Sequence, residues 1–165
     1  MSTLSAAADA HIDASPEVVL AILRDLDGHH RRILPPAFSD FEVLHGGQGD
    51  GTLSRFKFRL GGKTTEERTL TTETNPGVIR EQVLGRDMVT EFRVVDEGAG
   101  SRVSIATTWT ARNAVVGVLE RVVVRTLLRR VYVQELGLLA AYAPSVAGSP
   151  VGGPSAASVA VSNRR

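Results

Sequence analysis

The sequence predicts an α+β fold in which a curved antiparallel sheet of about seven strands wraps around a long C-terminal helix. Between Phe38 and Trp109, short segments with strand-like alternation are separated by glycine-containing turns. Turn signals about every 8 to 12 residues are typical of an antiparallel meander. From Asn113 to Tyr142 the chain has no proline and is rich in apolar residues, as one long helix requires. One helix against one curved sheet can enclose an apolar space.

A strand and two short helices precede this meander. Leu4 to Ile12 alternates in part, which favours an edge strand. Ser15 can cap the helix that follows, and Glu17 suits the positive end of its dipole. Apolar residues at helical spacing predict this helix over Pro16 to Leu26. His29 to Leu34 adds one further helical turn before two prolines end it.

The predicted sheet continues with six strands. In the second of them, Phe56, Phe58 and Leu60 share one face, and basic residues alternate with them on the other. The six strands are predicted at Phe38 to His45, Thr52 to Leu60, Lys63 to Thr74, Val78 to Leu84, Met88 to Val95, and Arg102 to Trp109.

Composition and charge exclude several classes of function. The 165 residues are 42% hydrophobic and carry a net charge of +1, which fits a globular domain and gives no reason to expect nucleic-acid binding. There is no cysteine, so thiol catalysis and disulfides are excluded. The four histidines have no metal-ligand spacing, and we expect neither a metal nor another cofactor.

The two ends of the chain bear on location and domain organisation. The N-terminus lacks a basic segment followed by a long apolar one, so we expect a cytoplasmic protein. Arginines interrupt the last helix, so we do not expect it to span a membrane. We expect one domain over residues 1–143. A disordered tail rich in Pro, Gly, Ser and Ala is expected over residues 144–165.

The order of elements resembles that of the START-like superfamily, also called Bet v 1-like or helix-grip proteins, whose members include polyketide cyclase/dehydratase-like proteins. The resemblance covers about Leu4 to Ala143. It is carried by four stretches: Ile12 to Val18, Asp25 to Pro35, Glu73 to Gly77, and Gly98 to Val103. It implies a cavity between the sheet and the last helix. The superfamily includes carriers, cyclases, hydrolases and chaperone activators, so the resemblance is stronger evidence for the fold than for the activity.

The cavity that the resemblance implies would be lined by same-face residues of the strands and by the last helix. The alternative is that these residues fill a solid core. The candidate ligand-binding residues are Phe56, Phe58, Ile79, Glu81, Phe92, Val94, Ile105, Trp109, Leu119 and Val122.

Glu81 is the carboxylate with the most unusual position. It lies between Ile79 and Val83, so the alternation of a strand turns it towards the apolar face. A hairpin at Asn75 to Gly77 would put Arg68 diagonally across from it as a partner. Glu81 and Arg68 are therefore candidates for a polar anchor or an acid–base pair. The alternative is an ion pair at the sheet rim, or a one-residue register shift that exposes Glu81.

His29 and His30 are the other catalytic candidates. They are expected at the mouth of the cavity beside two arginines, where they could bind an anionic group or act as a base. The alternative is a solvated basic end of a helix.

The last helix carries two apolar stripes. We expect the first stripe to face the sheet, with Val115, Leu119, Val122 and Thr126, continued by Val133 and Ala140. The second stripe consists of Val124, Leu128, Val131 and Tyr132. Other parts of the fold could cover the second stripe, or it could form a homodimer interface.

Three hypotheses of function follow from these patterns. In the first, the protein binds a small hydrophobic molecule such as a lipid, a polyketide or an isoprenoid. In the second, a cyclase/dehydratase-type enzyme uses the same cavity. In the third, the outer face of the C-terminal helix recruits a protein partner.

Overall fold

The computed structural model describes residues 2–111 and 118–148. Within these ranges, seven strands and two α-helices follow one another, with one 3₁₀ turn at His30–Ile33. The helices are α1 (Pro16–Arg24) and α2 (Val118–Ala147). The strands are β1 (Ser2–Ile12), β2 (Phe38–His45), β3 (Leu53–Leu60), β4 (Lys63–Asn75), β5 (Val78–Val83), β6 (Met88–Asp96) and β7 (Ser101–Ala111).

All seven strands form one antiparallel sheet in the order β1-β7-β6-β5-β4-β3-β2. The six strands from β2 to β7 are neighbours in sequence order, and β1 pairs with β7 at one edge. Together with the long C-terminal helix, this arrangement confirms the predicted helix-grip fold.

Helix α2 lies closest to β1, with which it makes most of its contacts. The inward residues of β1 are small: Ala6 and Ala8 are buried, and Ala10 is partly buried in the same core. Short side chains let a helix approach a sheet closely. The helix therefore packs over the β1 edge, and space remains between it and the strands further along the sheet.

The face of α2 that turns inward is not the one expected from the sequence. Val122 and Val133, assigned to the sheet-facing stripe, are 56% and 51% exposed. Three members of the second stripe, Leu128, Val131 and Tyr132, are buried instead. The proposal of a partner surface on the second stripe is wrong for these three residues, because the fold itself covers them.

Glu135 explains why the inward face is hard to recognise. The buried residues of α2 recur at intervals of three and four, as expected for one helix face, and Glu135 lies in the middle of them. A carboxylate normally marks a solvent-facing stripe, so the sequence pattern favours the opposite side. The buried members of this face are Leu128, Val131, Tyr132, Glu135, Leu136, Leu139 and Ala143.

Helix α2 also continues past the expected domain end. It includes Pro144 and ends at Ala147, and Val146 packs against the core. Apolar packing here outweighs the backbone hydrogen bond that proline removes. The expected disordered tail lies outside the described residues from position 149 onwards.

The β4–β5 hairpin carries a register shift between Glu73 and Asn75. Gly77 in its turn has φ +75°, and a Cβ there would lie 2.8 Å from the Val94 carbonyl oxygen. Only glycine fits this conformation and this close approach. The backbone N–H of Val94 also donates to the Gly77 carbonyl, which ties the turn to β6. The shift decides which residues face each other across β4 and β5.

Candidate functional site

A cavity of about 470 Å³ lies between the sheet and α2. The exposed residues Gly61, Lys63, Arg86 and Val123 mark its opening, where the β3–β4 and β5–β6 turns meet the first half of the helix. The buried residues His30, Phe92, Tyr132 and Glu135 line its inner end. A volume of this size suits one small organic molecule.

Aromatic side chains form much of the cavity wall. All five phenylalanines of the chain and its single tryptophan line the cavity. Phe38 lies between Phe56 and Phe58, with ring centroids 5.3 and 4.9 Å away. Phe41 stacks on Phe56 at 6.0 Å. These rings are fixed by their mutual contacts, so the wall is preformed.

Glu81 faces the cavity from β5. Burial raises the pKa of its carboxyl, and the nearby His30 partly opposes this. Arg68 is not its partner, which corrects the prediction. The register shift places Thr71 opposite Glu81 and Thr69 opposite Val83, and Arg68 lies exposed on the other face of β4.

Glu135 and Tyr132 reach the same inner end from α2, and the sequence analysis assigned neither to the cavity. Glu135 is only 3% exposed. Burial raises the pKa of its carboxyl well above the usual value, and the charge of Glu81 raises it further. Burial also raises the pKa of the Tyr132 hydroxyl. The signal that could have revealed Glu135 is a carboxylate at helical spacing among Leu128, Tyr132 and Leu139, since such a residue is costly unless it has a role.

A chain of hydroxyl groups connects the helix to the sheet at this end. The Tyr132 hydroxyl is hydrogen-bonded to Thr107 Oγ1 on β7. Thr107 Oγ1 is in turn 2.7 Å from Thr90 Oγ1 on β6, and Thr90 lines the cavity. The three hydroxyls fix the tyrosine ring beside the two carboxyls.

His30 lies inside the cavity and not at its mouth, which corrects the prediction for this residue. It is 3% exposed, and its Nδ1 lies 2.9 Å from the carbonyl oxygen of Leu23. A carbonyl can only accept, so Nδ1 carries the proton. Nε2 is then the hydrogen-bond acceptor of the neutral ring. His29 does not line the cavity; its Nδ1 is 2.6 Å from the Tyr142 hydroxyl.

The loop after α1 holds His30 in place. The side chain of Asp25 accepts hydrogen bonds from the backbone N–H groups of Gly28 and His29 and from the Gln48 amide. Burial works against ionisation of Asp25, but these bonds more than offset it and the pKa lies below its usual value. The backbone N–H of His30 donates to the Asp25 carbonyl at 2.9 Å. The loop therefore fixes the backbone of His30, while the Leu23 carbonyl in the last turn of α1 fixes its ring.

The opening of the cavity carries an ion pair between β4 and the β5–β6 turn. Arg86 Nη1 lies 3.1 Å from Glu67 Oε1, and both residues line the cavity. The Gln82 side-chain amide lies within 3.1 Å of the carbonyl oxygens of Val83, Arg86 and Met88, which orders the β5–β6 turn. The opening thus has a balanced pair and one further cation, Lys63, whereas the inner end has two carboxyls.

Several predicted ligand-binding residues lie elsewhere. Ile79, Val94 and Ile105 belong to the buried core and do not line the cavity. Ile79 and Ile105 lie on either side of Phe92 in one row across the sheet, and of these three only Phe92 reaches the cavity. Val122 is exposed because it lies about 120° around the helix from Leu128, given 3.6 residues per turn. The side chain of Leu119 lies outside the described part of the chain. Phe56, Phe58, Glu81, Phe92 and Trp109 all line the cavity.

Within residues 2–111 and 118–148, no group of three or more His, Asp or Glu side chains is arranged to hold a metal ion. No helix in these ranges is long and apolar enough to cross a membrane.

Comparisons with known proteins agree with this geometry. A family model described as polyketide cyclase/dehydrase and lipid transport matches residues 3–144. The solution structure of the KanY protein is similar, with 28% identity and a TM-score of 0.78, covering 87% of this chain and 99% of that one. The comparison with curated proteins gives no match.

Two more distant structures show the same fold. TTHA0849 from Thermus thermophilus is 23% identical with a TM-score of 0.72, over 86% of this chain and 97% of that chain. The Zhui aromatase/cyclase from Streptomyces sp. R1128 is 16% identical with a TM-score of 0.69, over 87% and 94%. At these identities the likeness concerns the fold alone.

Proposed function

The chain belongs to the polyketide cyclase/dehydrase and lipid transport family, and on that premise we propose that it binds a small apolar molecule in the cavity between the sheet and α2. The observation that carries the proposal is the concentration of aromatic residues in the cavity wall. All five phenylalanines and the single tryptophan line a space of about 470 Å³ that the described side chains do not fill.

Apolar side chains that line a cavity lose the contacts that neighbouring side chains give them in a filled core, and their surface can meet solvent through the opening. A chain that only needed stability would fill the space with larger side chains. A ligand with apolar surface would restore these contacts.

The ligand class follows from the wall chemistry. Rings and aliphatic side chains favour an apolar body such as an acyl chain, a polyketide or an isoprenoid. The inner end adds Glu81, Glu135, Tyr132 and His30, which can hydrogen-bond to a polar group on that body. The opening beside Lys63 and Arg86 gives a route for entry.

Trp109 makes this proposal testable without a label. We expect decanol to change the emission of Trp109 and to bind with a measurable heat, since this tryptophan lies in the cavity wall and is the only one in the chain. Val83→Phe should weaken decanol binding about tenfold or more, because Val83 is buried in the wall and a larger ring would occupy ligand space. Fluorescence titration and calorimetry measure both effects.

Val95→Phe is the matched control. Val95 lies on the outer face of β6 and is 53% exposed, so the same substitution there should leave the affinity unchanged. The proposal fails if decanol and longer alcohols produce neither a fluorescence change nor a heat of binding.

A second function is favoured by the groups at the inner end. Glu81 and Glu135 have raised pKa values and line the same cavity as the His30 imidazole, so the site brings together side chains of the types that serve as general acids and bases. We propose as the alternative a cyclase/dehydratase-type enzyme that moves protons on a bound polyketide-like chain.

The enzyme proposal predicts a chemical change in the bound molecule. A synthetic poly-β-keto thioester should be cyclised or dehydrated faster with the wild type than in buffer, and Glu81→Gln should remove most of this acceleration. Mass spectrometry follows the loss of water, and NMR detects a new ring. If the thioester binds but reacts no faster than in buffer, the enzyme proposal is contradicted and the proposal of a binding protein is unaffected.

A further inference from the structure

The two carboxyls at the inner end of the cavity lack any partner in the described part of the chain. Neither Glu81 nor Glu135 makes a hydrogen bond or ion pair with another described residue, although both line the cavity. Glu135 is 97% buried, given its 3% exposure. Buried carboxyls in proteins are usually paired or hydrogen-bonded, so the unpartnered Glu135, beside the partly buried Glu81 in one cavity, indicates a group that the protein itself does not supply.

The surroundings of the pair favour a donor with positive charge. His30 has its Nδ1 proton committed to the Leu23 carbonyl, so its Nε2 offers an acceptor in the neutral ring. The hydroxyl of Tyr132 is bonded to Thr107. The lysine and arginine that line the cavity, Lys63 and Arg86, lie at the opening, and of the basic side chains in the described lining only His30, whose charge opposes the rise in the Glu81 pKa, lies near the carboxyls. The inner end therefore presents to its occupant two carboxyl groups that no described side chain bonds.

An ammonium group fits this arrangement better than a hydroxyl or a carbonyl. It has three hydrogen-bond donors and no acceptor, and its electrostatic attraction to a carboxylate is strongest in a site shielded from water. The aromatic wall adds to the preference, because ring faces attract cations. Phe92, whose ring centroid lies 5.8 Å from that of His30, places an aromatic ring at the inner end.

We propose that the cavity selects apolar molecules that carry a basic nitrogen, with the ammonium group seated between Glu81 and Glu135. The inference rests on the proposed binding function and adds to it the chemical class of the ligand. Raised carboxyl pKa values agree with it, since an empty site stabilises the protonated acids and an incoming cation would stabilise the carboxylates.

The experiment compares decylamine with decanol, which have the same alkyl chain and differ in the head group. Calorimetry at neutral pH gives the ratio of the two dissociation constants, decanol over decylamine, for the wild type and three variants. We expect the ratio to fall about tenfold in Glu135→Gln and in Glu81→Gln, and to stay unchanged in Glu91→Gln. Glu91 lies on β6, where it is absent from the cavity lining, so it controls for the loss of one negative charge.

Proton release gives a second readout that needs no variant. Seating a cation should ionise a carboxyl that was neutral, so decylamine should release protons on binding while decanol releases none. Calorimetry in two buffers of different ionisation enthalpy measures the number released. The groups that face the site are His30 from the 3₁₀ turn, Glu81 from β5, and Tyr132 and Glu135 from α2, with Lys63, Glu67 and Arg86 at the opening.

The outcomes separate this inference from the binding function. A fall in the ratio of threefold or more in both Gln variants, together with proton release, supports an amine ligand. A smaller fall, or binding of decylamine without proton release, overturns it. If decanol binds the wild type, the proposal that the cavity binds apolar molecules is supported whether or not the amine inference is overturned. If neither decanol nor decylamine binds, both proposals fail.

Discussion

Leu136→Ala should lower the free energy of unfolding by about 3 kcal/mol, within the usual range of roughly 2–5 kcal/mol for a buried leucine. Leu136 is 2% exposed and belongs to the main core. The alanine would leave a void where the helix packs, because the surrounding backbone can relax only in part. Urea denaturation of the purified protein measures the change.

Val133→Ala is the matched control on the same helix. Val133 is 51% exposed, and truncating it should change the free energy of unfolding by less than about 0.5 kcal/mol. The comparison distinguishes the two faces of α2, because the stripe predicted from the sequence places Val133 against the sheet. Equal losses in the two variants, or a larger loss for Val133→Ala, would contradict the orientation of the helix described above.

The stability of the wild type should fall as the pH rises from about 5 to 8, and the fall should be smaller in Glu135→Gln. The folded protein keeps a proton on Glu135 because burial raises the pKa of this carboxyl. The unfolded chain, with a glutamate pKa of about 4.3, has already lost that proton. Each proton held only in the folded state lowers the free energy of unfolding by up to about 1.4 kcal/mol per pH unit.

At pH 8 this reasoning makes Glu135→Gln more stable than the wild type by roughly 1–3 kcal/mol. At about pH 4 both states of the wild type are protonated, so the two proteins should differ by less than about 0.5 kcal/mol. Urea denaturation at a series of pH values measures the difference, with Glu91→Gln as the control for a lost charge. Curves for wild type and Glu135→Gln that stay parallel from pH 4 to 8 would show that Glu135 is not buried in a protonated form.

The sheet is the part of the fold that local sequence determines best. Alternation of apolar and polar residues, with glycines at the turns, is a property of neighbouring positions, so the segments containing Phe56, Phe92 and Trp109 could be assigned to strands and to one face. The same alternation turned Glu81 inward. The Ser15 cap of α1 was also predictable, and its Oγ accepts from the Val18 backbone N–H.

The partners of Glu81 could not be predicted in this way. Register depends on the turn that joins two strands, and the shift between Glu73 and Asn75 moves β5 by one position relative to a regular hairpin. A change of one position in the register changes which β4 residues lie on the same face of the sheet as Glu81. Arg68 is therefore on the outer face, and Thr71 faces Glu81.

The sequence by itself determined the fold class through the order of its elements. Alternation within single strands also predicted four of the six aromatic residues of the cavity wall and the inward direction of Glu81. Only the tertiary structure decided which face of α2 meets the sheet and brought Glu135, Tyr132 and His30 to Glu81. The rotation of a helix is set by what it packs against, here the small side chains of Ala6 and Ala8. A buried carboxylate on that face resembles a surface residue until the sheet that covers it is known.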